Sequence, residues 1–307
     1  MRSAALSPDE LYVFGYHPHG IMPLTVFWLR IGSAWERSFP GVSFSPLTAS
    51  VMHLVPVMRD ILQWMGGREV SRESIQLALR SRTNCLLIPG GQAEMMESSS
   101  AIDEIVLVTR HTGFIKLAMQ ERAKLVPVLS IGEVDLLDNV SIPKVQRWFL
   151  KRIGFAAPFN PYGRWYLPIP RPAAVTVVVG KPVTVAVPGV AAPASTSPSD
   201  ADLKRAMIDY FGEIQRIFDR HQEVAQAPRG LRKRRLMFLD HKGERCDFDS
   251  LRHQWSLDIK TAANSTASAI TNSAPSKTGP SAVPVAVAVA VVGKKAKTKE
   301  KKLRSRV

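Results

Sequence analysis

Tyr12-Val13-Phe14-Gly15-Tyr16-His17-Pro18-His19-Gly20 is the stretch on which the fold turns. Five apolar or small residues in a row read as a strand entering a core. The run stops at His17-Pro18-His19-Gly20. Pro18 fixes one backbone torsion, and Gly20 permits a close approach or an unusual backbone angle. A rigid turn carrying two imidazoles at the end of a buried strand is a sensible place to hold a general base, because imidazole titrates near neutrality. Polar residues in an ordinary turn would look the same, and the tetrapeptide alone leaves that alternative open.

Working outward, further apolar runs end in turn signals. Cys85-Leu86-Leu87-Ile88 predicts a short strand stopped by Pro89-Gly90-Gly91. Leu125 to Ile131 predicts another strand, although Pro127 argues against a regular central position there. Ala174 to Val179 predicts a third strand, ending at Gly180-Lys181-Pro182. Between them, Ser71 is placed to cap a helix from Arg72 to about Ser81. Thr112 to Arg122 has an apolar face at helical spacing, and so does Leu203 to His221, which reads as the last helix of the domain. Strands alternating with helices predict an α/β fold, a largely parallel central sheet flanked by helices. In such sheets sites gather in loops at the strand ends. Three polar loops follow apolar strands: His17 to Gly20, Pro89 to Glu94, and Gly132-Glu133.

The net charge of +15 is unevenly placed. Residues 226–307 hold 18 Lys and Arg against 6 Asp and Glu, whereas residues 1–225 hold 23 against 20. The sequence therefore divides into a domain over 1–225 and a basic, low-complexity tail over 226–307, expected to be mostly disordered. A polybasic tail is attracted to anionic lipid or to nucleic acid, but it lacks the aromatic interleaving that single-strand binding uses. Two cysteines make no disulfide framework and fit a chain facing a reducing compartment. No signal-peptide core is present, and no window reaches the roughly 18–20 uninterrupted apolar residues of a spanning helix. The nearest approaches are Ile21 to Trp35, broken by Pro23 and Arg30, and the short run Val283 to Val292.

The two glycines of Pro89-Gly90-Gly91-Gln92-Ala93-Glu94 can turn backbone N–H groups toward a developing oxyanion. Glu94 can orient an imidazole or hold a substrate hydroxyl; its bland reading is a first-turn helix carboxylate that suits the helix dipole. Glu133 reads equally as a site residue or a surface turn residue. A metal site needs three or four ligands, and His53, His111, His221, His241 and His253 show no ligand spacing around His17 and His19, so no metal is expected.

In order and approximate spacing, these pieces resemble the type 2 diacylglycerol acyltransferases, with the related monoacylglycerol acyltransferases and wax-ester synthases. The resemblance starts at Leu11 to Gly20. It continues through Arg59-Asp60, Met65-Gly66-Gly67, Val70 to Ile75, Pro89 to Glu94 and Thr112 to Ala118. Leu125 to Val128, Ile131-Gly132-Glu133, Leu167-Pro168 and Val178 to Pro182 complete it, over about residues 5–222.

The resemblance implies a glycerolipid-acyltransferase-like fold and a transferase at the cytosolic face of the endoplasmic reticulum membrane, also found at lipid droplets. It would move a fatty acyl group from acyl-CoA, as co-substrate with no cofactor, to the hydroxyl of a neutral glycerolipid, making triacylglycerol. The expected base is His19, slightly preferred because it adjoins Gly20, or His17, with Glu94 as the orienting carboxylate and no acyl-enzyme. Met22 and Leu24 stand five positions beyond the two histidines, where the distant glycerophosphate acyltransferases carry aspartate. Pro18, Gly20, Gly90, Gly91 and Glu133 would line the substrate site, with the oxyanion near Gly90 and Gly91. Arg110, Lys116 and Lys181 are the candidate cations for CoA phosphates. The loop Gly90 to Glu94 carries no cation, which favours an uncharged acceptor.

The family usually carries an apolar membrane hairpin ahead of the signature; residues 1–225 are read as an acyltransferase domain lacking it, with Ile21 to Trp35 and the basic tail as peripheral membrane contacts. Its usual Phe-Gly-Glu-Asn reads Ile131-Gly132-Glu133-Val134 here, and Tyr162-Gly163-Arg164-Trp165 is a reduced form of another segment. Monoacylglycerol or a fatty alcohol as acceptor, an inactive lipid-surface protein, and a metal-dependent hydrolase remain as alternatives. A homo-oligomer is left open.

Overall fold

The structure is a computed structural model that describes residues 5–54, 56–140, 142–153, 160–185, 198–226 and 234–272, with the side chains of 153, 222–226 and 263–272 excepted. The strands are β1 (Tyr12–His17), β2 (Ser45–Thr48), β3 (Arg68–Glu69), β4 (Cys85–Leu87), β5 (Glu104–Val108) and β6 (Lys124–Ile131). After them come β7 (Asp138–Asn139), β8 (Pro161–Tyr162), β9 (Thr176–Val179), β10 (Arg235–Leu239) and β11 (Arg245–Cys246). The helices are α1 (Leu24–Ile31), α2 (Ala34–Ser38), α3 (Pro56–Trp64), α4 (Arg72–Arg80) and α5 (Gly91–Glu97). They continue with α6 (Gly113–Gln120), α7 (Glu133–Leu136), α8 (Pro143–Ile153), α9 (Asp200–Gln226) and α10 (Phe248–Asn272).

Six strands form the main sheet in the order β3-β2-β4-β1-β6-β9. All neighbours are parallel except β6 and β9. β1 lies between β4 and β6, so every residue of it is buried. Its period of two sorts the side chains between two layers. Tyr12, Phe14 and Tyr16 join Trp35, Phe39 and Phe44 on one face. The Phe14 ring meets Trp35 edge-on at 5.2 Å. On the other face, Val13 packs in the core formed with α6 and α9. Gly15 is glycine because a Cβ there would overlap the hydroxyl of Tyr210 on α9. α4 begins as expected: the Ser71 hydroxyl accepts from the Ser74 N–H at 3.1 Å.

Pro127 lies inside β6, a central strand, contrary to the sequence expectation. The pairing Val128↔Val179 slips by one residue by the bridge Leu125↔Val183, so Pro127 faces a bulge around Gly180. There its carbonyl still accepts from Gly180 N–H at 2.8 Å. The missing N–H falls at the one place along β6 where the ladder is already broken.

The sequence reading ended the domain at 225, and residues beyond it correct that boundary. β10 pairs in parallel with β5 along five residues, in a second sheet ordered β11-β10-β5. Leu236, Phe238, Leu251 and Trp255 are buried in the same core as α9. The compact unit runs from Met1 to Thr266. The basic charge of 226–307 concealed this alternation, because Arg234, Arg235 and Arg245 pair with Asp135, Glu104 and Glu97. Most of the cluster 229–235, the run 283–292 and the closing lysine-rich segment lie outside the described residues. Cys85 is buried in the core as read, and burial pushes its thiol up to about 11.

Trp255→Ala should destabilise the unit by about 3–5 kcal/mol, the usual cost of deleting a buried indole, and shift a single unfolding transition. A denaturant or thermal melt checks this; an unchanged midpoint would mean that residues 234–258 are a tail after all.

Candidate active site

The three polar loops picked out in the sequence follow β4, β1 and β6, which are neighbours in that order. Parallel pairing therefore brings His17 to Gly20, Pro89 to Glu94 and Gly132-Glu133 together at the carboxyl edge of the sheet. This is where open α/β sheets place their sites.

His17 ends β1 on the face that meets α9, and its side chain is fully buried. Nδ1 lies 3.2 Å from Glu94 Oε1, and Nε2 lies 3.1 Å from the Tyr210 hydroxyl. Both ring nitrogens are thus engaged inside the protein. Glu94 is equally buried. Beyond His17, its Oε1 accepts from the Val108 N–H at 3.0 Å and its Oε2 from the His19 N–H at 3.0 Å. Those donors solvate a carboxylate that water does not reach. One side chain on α5 thereby ties the ends of β1 and β5 to the histidine loop.

His19 is partly exposed. Its Nδ1 lies 3.0 Å from the Gly20 carbonyl. A carbonyl only accepts, so Nδ1 carries the hydrogen and Nε2 presents a lone pair. Burial holds this imidazole below the ordinary histidine value of 6.5, so it is neutral at neutral pH. Glu94 touches the backbone of His19 and the ring of His17. The expectation that it orients the ring of the base therefore holds only if His17 is the base. The His17–Pro18 peptide is cis.

Glu133 is a buried residue and not the surface turn residue of the bland reading. It lies on the other face of the sheet. Its Oε2 accepts from Tyr16 at 2.7 Å, from Ser130 at 3.0 Å and from the Thr25 hydroxyl. Its Oε1 faces the Thr25 N–H at 3.3 Å. Burial raises its pKa, and the hydroxyl donors oppose that shift. Gly20 has φ +61°, and a Cβ there would come within 3.1 Å of Glu133 Cγ.

Of the two glycines expected near an oxyanion, Gly91 has its N–H occupied: it donates to Ile88 O at 3.1 Å, and the residue opens α5. Gly90 is glycine because a Cβ would overlap the Glu94 carboxyl. Gly90 seats Glu94, and Gly91, at φ +51°, starts the helix that carries it.

The three candidate cations separate. Arg110 is exposed, two residues beyond Val108, whose N–H donates to Glu94. Lys116 is half-buried on α6, two residues past Phe114, which packs on Tyr210. Lys181 is exposed beyond the Val128↔Val179 pair, toward the amino end of β6, and is not brought to the site. Among the described residues no three His, Cys, Asp or Glu gather into a metal-binding group.

Sequence reasoning missed Tyr210, Tyr16, Thr25, Ser130 and His111, whose Nδ1 lies 3.0 Å from Pro89 O. One signal pointed to Tyr210: a glycine inside a strand pattern marks close approach by another group.

Residues 1–232 match the diacylglycerol acyltransferase family. A diacylglycerol O-acyltransferase 2B of Umbelopsis ramanniana is 30% identical over 241 residues, 73% of this chain and 67% of its own. Diacylglycerol O-acyltransferase 1 of Saccharomyces cerevisiae is 32% identical, over 71% of this chain and 53% of its own. Human diacylglycerol O-acyltransferase 2 is 34% identical, over 69% and 56%. The chain thus spans between about half and two thirds of these curated relatives. No solved structure matches significantly.

Gly90→Ala should cost about 3 kcal/mol, at the upper end for overpacking a site that cannot yield. Gly91 has φ +51° and open space around it, so Gly91→Ala should cost only about 1–2 kcal/mol of left-handed strain. Denaturant melts of the two variants check this ordering; the reverse would mean that Glu94 does not rest on Gly90.

Proposed function

The chain belongs to the diacylglycerol acyltransferase family, and from that membership we propose that it transfers a fatty acyl group from acyl-CoA to the free hydroxyl of diacylglycerol. The observation that carries the mechanism is the contrast between the two histidines. His17 is fully buried with both nitrogens engaged. His19 is partly exposed, with its Nε2 lone pair unprotonated.

In this reading His19 Nε2 takes the acceptor hydroxyl proton as the oxygen attacks the thioester carbonyl. The new C–O ester bond forms and the C–S bond breaks. The proton passes from His19 to the departing CoA thiolate, giving triacylglycerol and free CoA. General-base help of this kind contributes about 10²–10⁴-fold. The lowered pKa of His19 keeps the base form available below pH 6.5. Arg110 and Lys116 are the cations on hand for CoA phosphates.

A neutral lipid acceptor resides in a membrane or lipid droplet, so the protein works at such a surface. No helix among the described residues is long and apolar enough to cross a membrane. Support for surface docking comes from exposed apolar groups. Trp28 and Ile31 stand on α1 directly after the histidine loop, and Trp148 on α8. The start of α1 and Leu150 of α8 pack on one shared cluster. Trp35 does not contribute: it is buried, with its indole N–H donating to Val42 O at 2.6 Å. The cytosolic face of the endoplasmic reticulum and the lipid droplet are the proposed locations.

Microsomes carrying the protein, given labelled oleoyl-CoA with diacylglycerol, monoacylglycerol or fatty alcohol, test the reading. Labelled triacylglycerol is expected, with the acid limb of kcat/KM below pH 6.5. His19→Asn should lower turnover by about 10²–10⁴-fold. His17→Asn keeps a donor for Glu94 and should retain measurable activity. An active His19→Asn beside an inactive His17→Asn would reverse the roles, and product from another acceptor alone would change the substrate. Trp28→Glu should weaken flotation with liposomes; unchanged flotation would remove α1 from the docking face.

A further inference from the structure

The Tyr210 hydroxyl stands outside the proposed chemistry, yet it touches the centre of the site. It comes from α9, 193 residues along the chain from His17, and lies 3.1 Å from His17 Nε2. It also lies 3.2 Å from the Gly15 carbonyl. Burial and the charge of Glu94 push its phenol well above its ordinary value, so it stays a neutral hydroxyl.

A neutral hydroxyl has one hydrogen to give and lone pairs to receive with. If it donates to Gly15 O, then His17 Nε2 must bring its own hydrogen to the Tyr210 oxygen. If it donates to His17 Nε2, that nitrogen carries none. In the second arrangement the neutral ring gives its Nδ1–H to Glu94; in the first, Nδ1–H faces Glu94 only in a ring that carries both hydrogens. Tyr210 therefore closes the far end of a line that runs Tyr210, His17, Glu94, His19 N–H. Deleting the hydroxyl leaves His17 Nε2 buried without its partner, and a buried ring nitrogen in that state is costly. The ring can then turn toward another partner and take its hold on Glu94 with it.

The place of Tyr210 is built to tight tolerance. Its ring packs edge-on against Phe114 at 5.4 Å and Phe211 at 5.1 Å. Phe211 is in turn backed by Phe238 of β10 and Trp255 of α10, each 5.9 Å away. The same β10 holds β5, whose Val108 N–H fixes Glu94. Residues beyond the family match at 232 thus support both ends of the line.

We infer that Tyr210 is a positioning residue for acyl transfer, its hydroxyl holding His17 so that Glu94 fixes the backbone of His19. This inference rests on the acyltransferase reading of the site, and its test includes a readout that does not.

The test compares Tyr210→Phe with Ile217→Ala in the full-length protein. Ile217 is a core residue on the same helix, two turns away and buried beside Gly180. It controls for lost stability alone. Tyr210→Phe should lower kcat by up to about 100-fold, the scale of a misplaced reacting group, with both KM values unchanged. It should also speed amide exchange in the peptide covering residues 17–21. Ile217→Ala should change neither kcat per folded molecule nor exchange in that peptide. Wild-type kcat in Tyr210→Phe, or exchange in 17–21 no faster than in Ile217→Ala, overturns the inference. If wild type transfers acyl groups to no acceptor, the functional reading fails, and exchange in 17–21 still decides whether Tyr210 holds the loop.

Discussion

Two buried carboxylates hold the histidine loop, one from each face of the central sheet. Glu94 reaches it from the α9 side through His17 and the His19 N–H. Glu133 reaches it from the α1 side through Tyr16 and Thr25. A carboxylate away from water is stable only where donors surround it. That requirement makes the surroundings interdependent. Gly90 must lack a side chain to seat Glu94, Gly20 must lack one to lie against Glu133, and Gly15 must lack one to admit Tyr210. Moving any strand end would strand a charge or a hydroxyl.

The constraint explains why the two histidines differ. One residue lies between them, yet His17 completes a strand and faces inward, while His19 has turned out of the sheet. The first is stabilising and has no nitrogen to spare. The second has its Nδ1–H committed to a backbone carbonyl and its other nitrogen available. Neutrality of His19 follows from burial, which outweighs the pull of the Gly20 carbonyl and of Glu94 toward the charged form. In the proposed mechanism, holding the loop and moving the proton fall to different residues.

Much of this was legible in the sequence. The strand Tyr12 to Tyr16, the capped helix after Ser71 and the three strand-end loops followed from apolar runs and punctuation, because those signals are local. The parallel sheet followed from alternation. What escaped was non-local. β5 reads Glu104-Ile105-Val106-Leu107-Val108, but its partner β10 lies more than a hundred residues away, in a segment whose arginines resemble a solvated tail. Pro127 looked incompatible with a central strand because a bulge is invisible until the partner register is known. Tyr210 sat among core residues at helical spacing, and nothing near it in the chain names His17 as its partner. Lys181 is a candidate cation by residue type and by the turn after its strand, and the antiparallel direction of β9 carries it away from the site.

The most direct test of the division between the histidines is modification of the folded protein with diethyl pyrocarbonate, which attacks unprotonated imidazole nitrogens that it can reach. Fragment-ion mass spectrometry of the peptide containing His17 and His19 reads the rate at each ring. The account predicts rapid modification at His19, slowed by acyl-CoA and matched by loss of activity, with His17 unmodified until the protein unfolds. Modification of His17 as fast as His19, or an unreactive His19 in active protein, would contradict it.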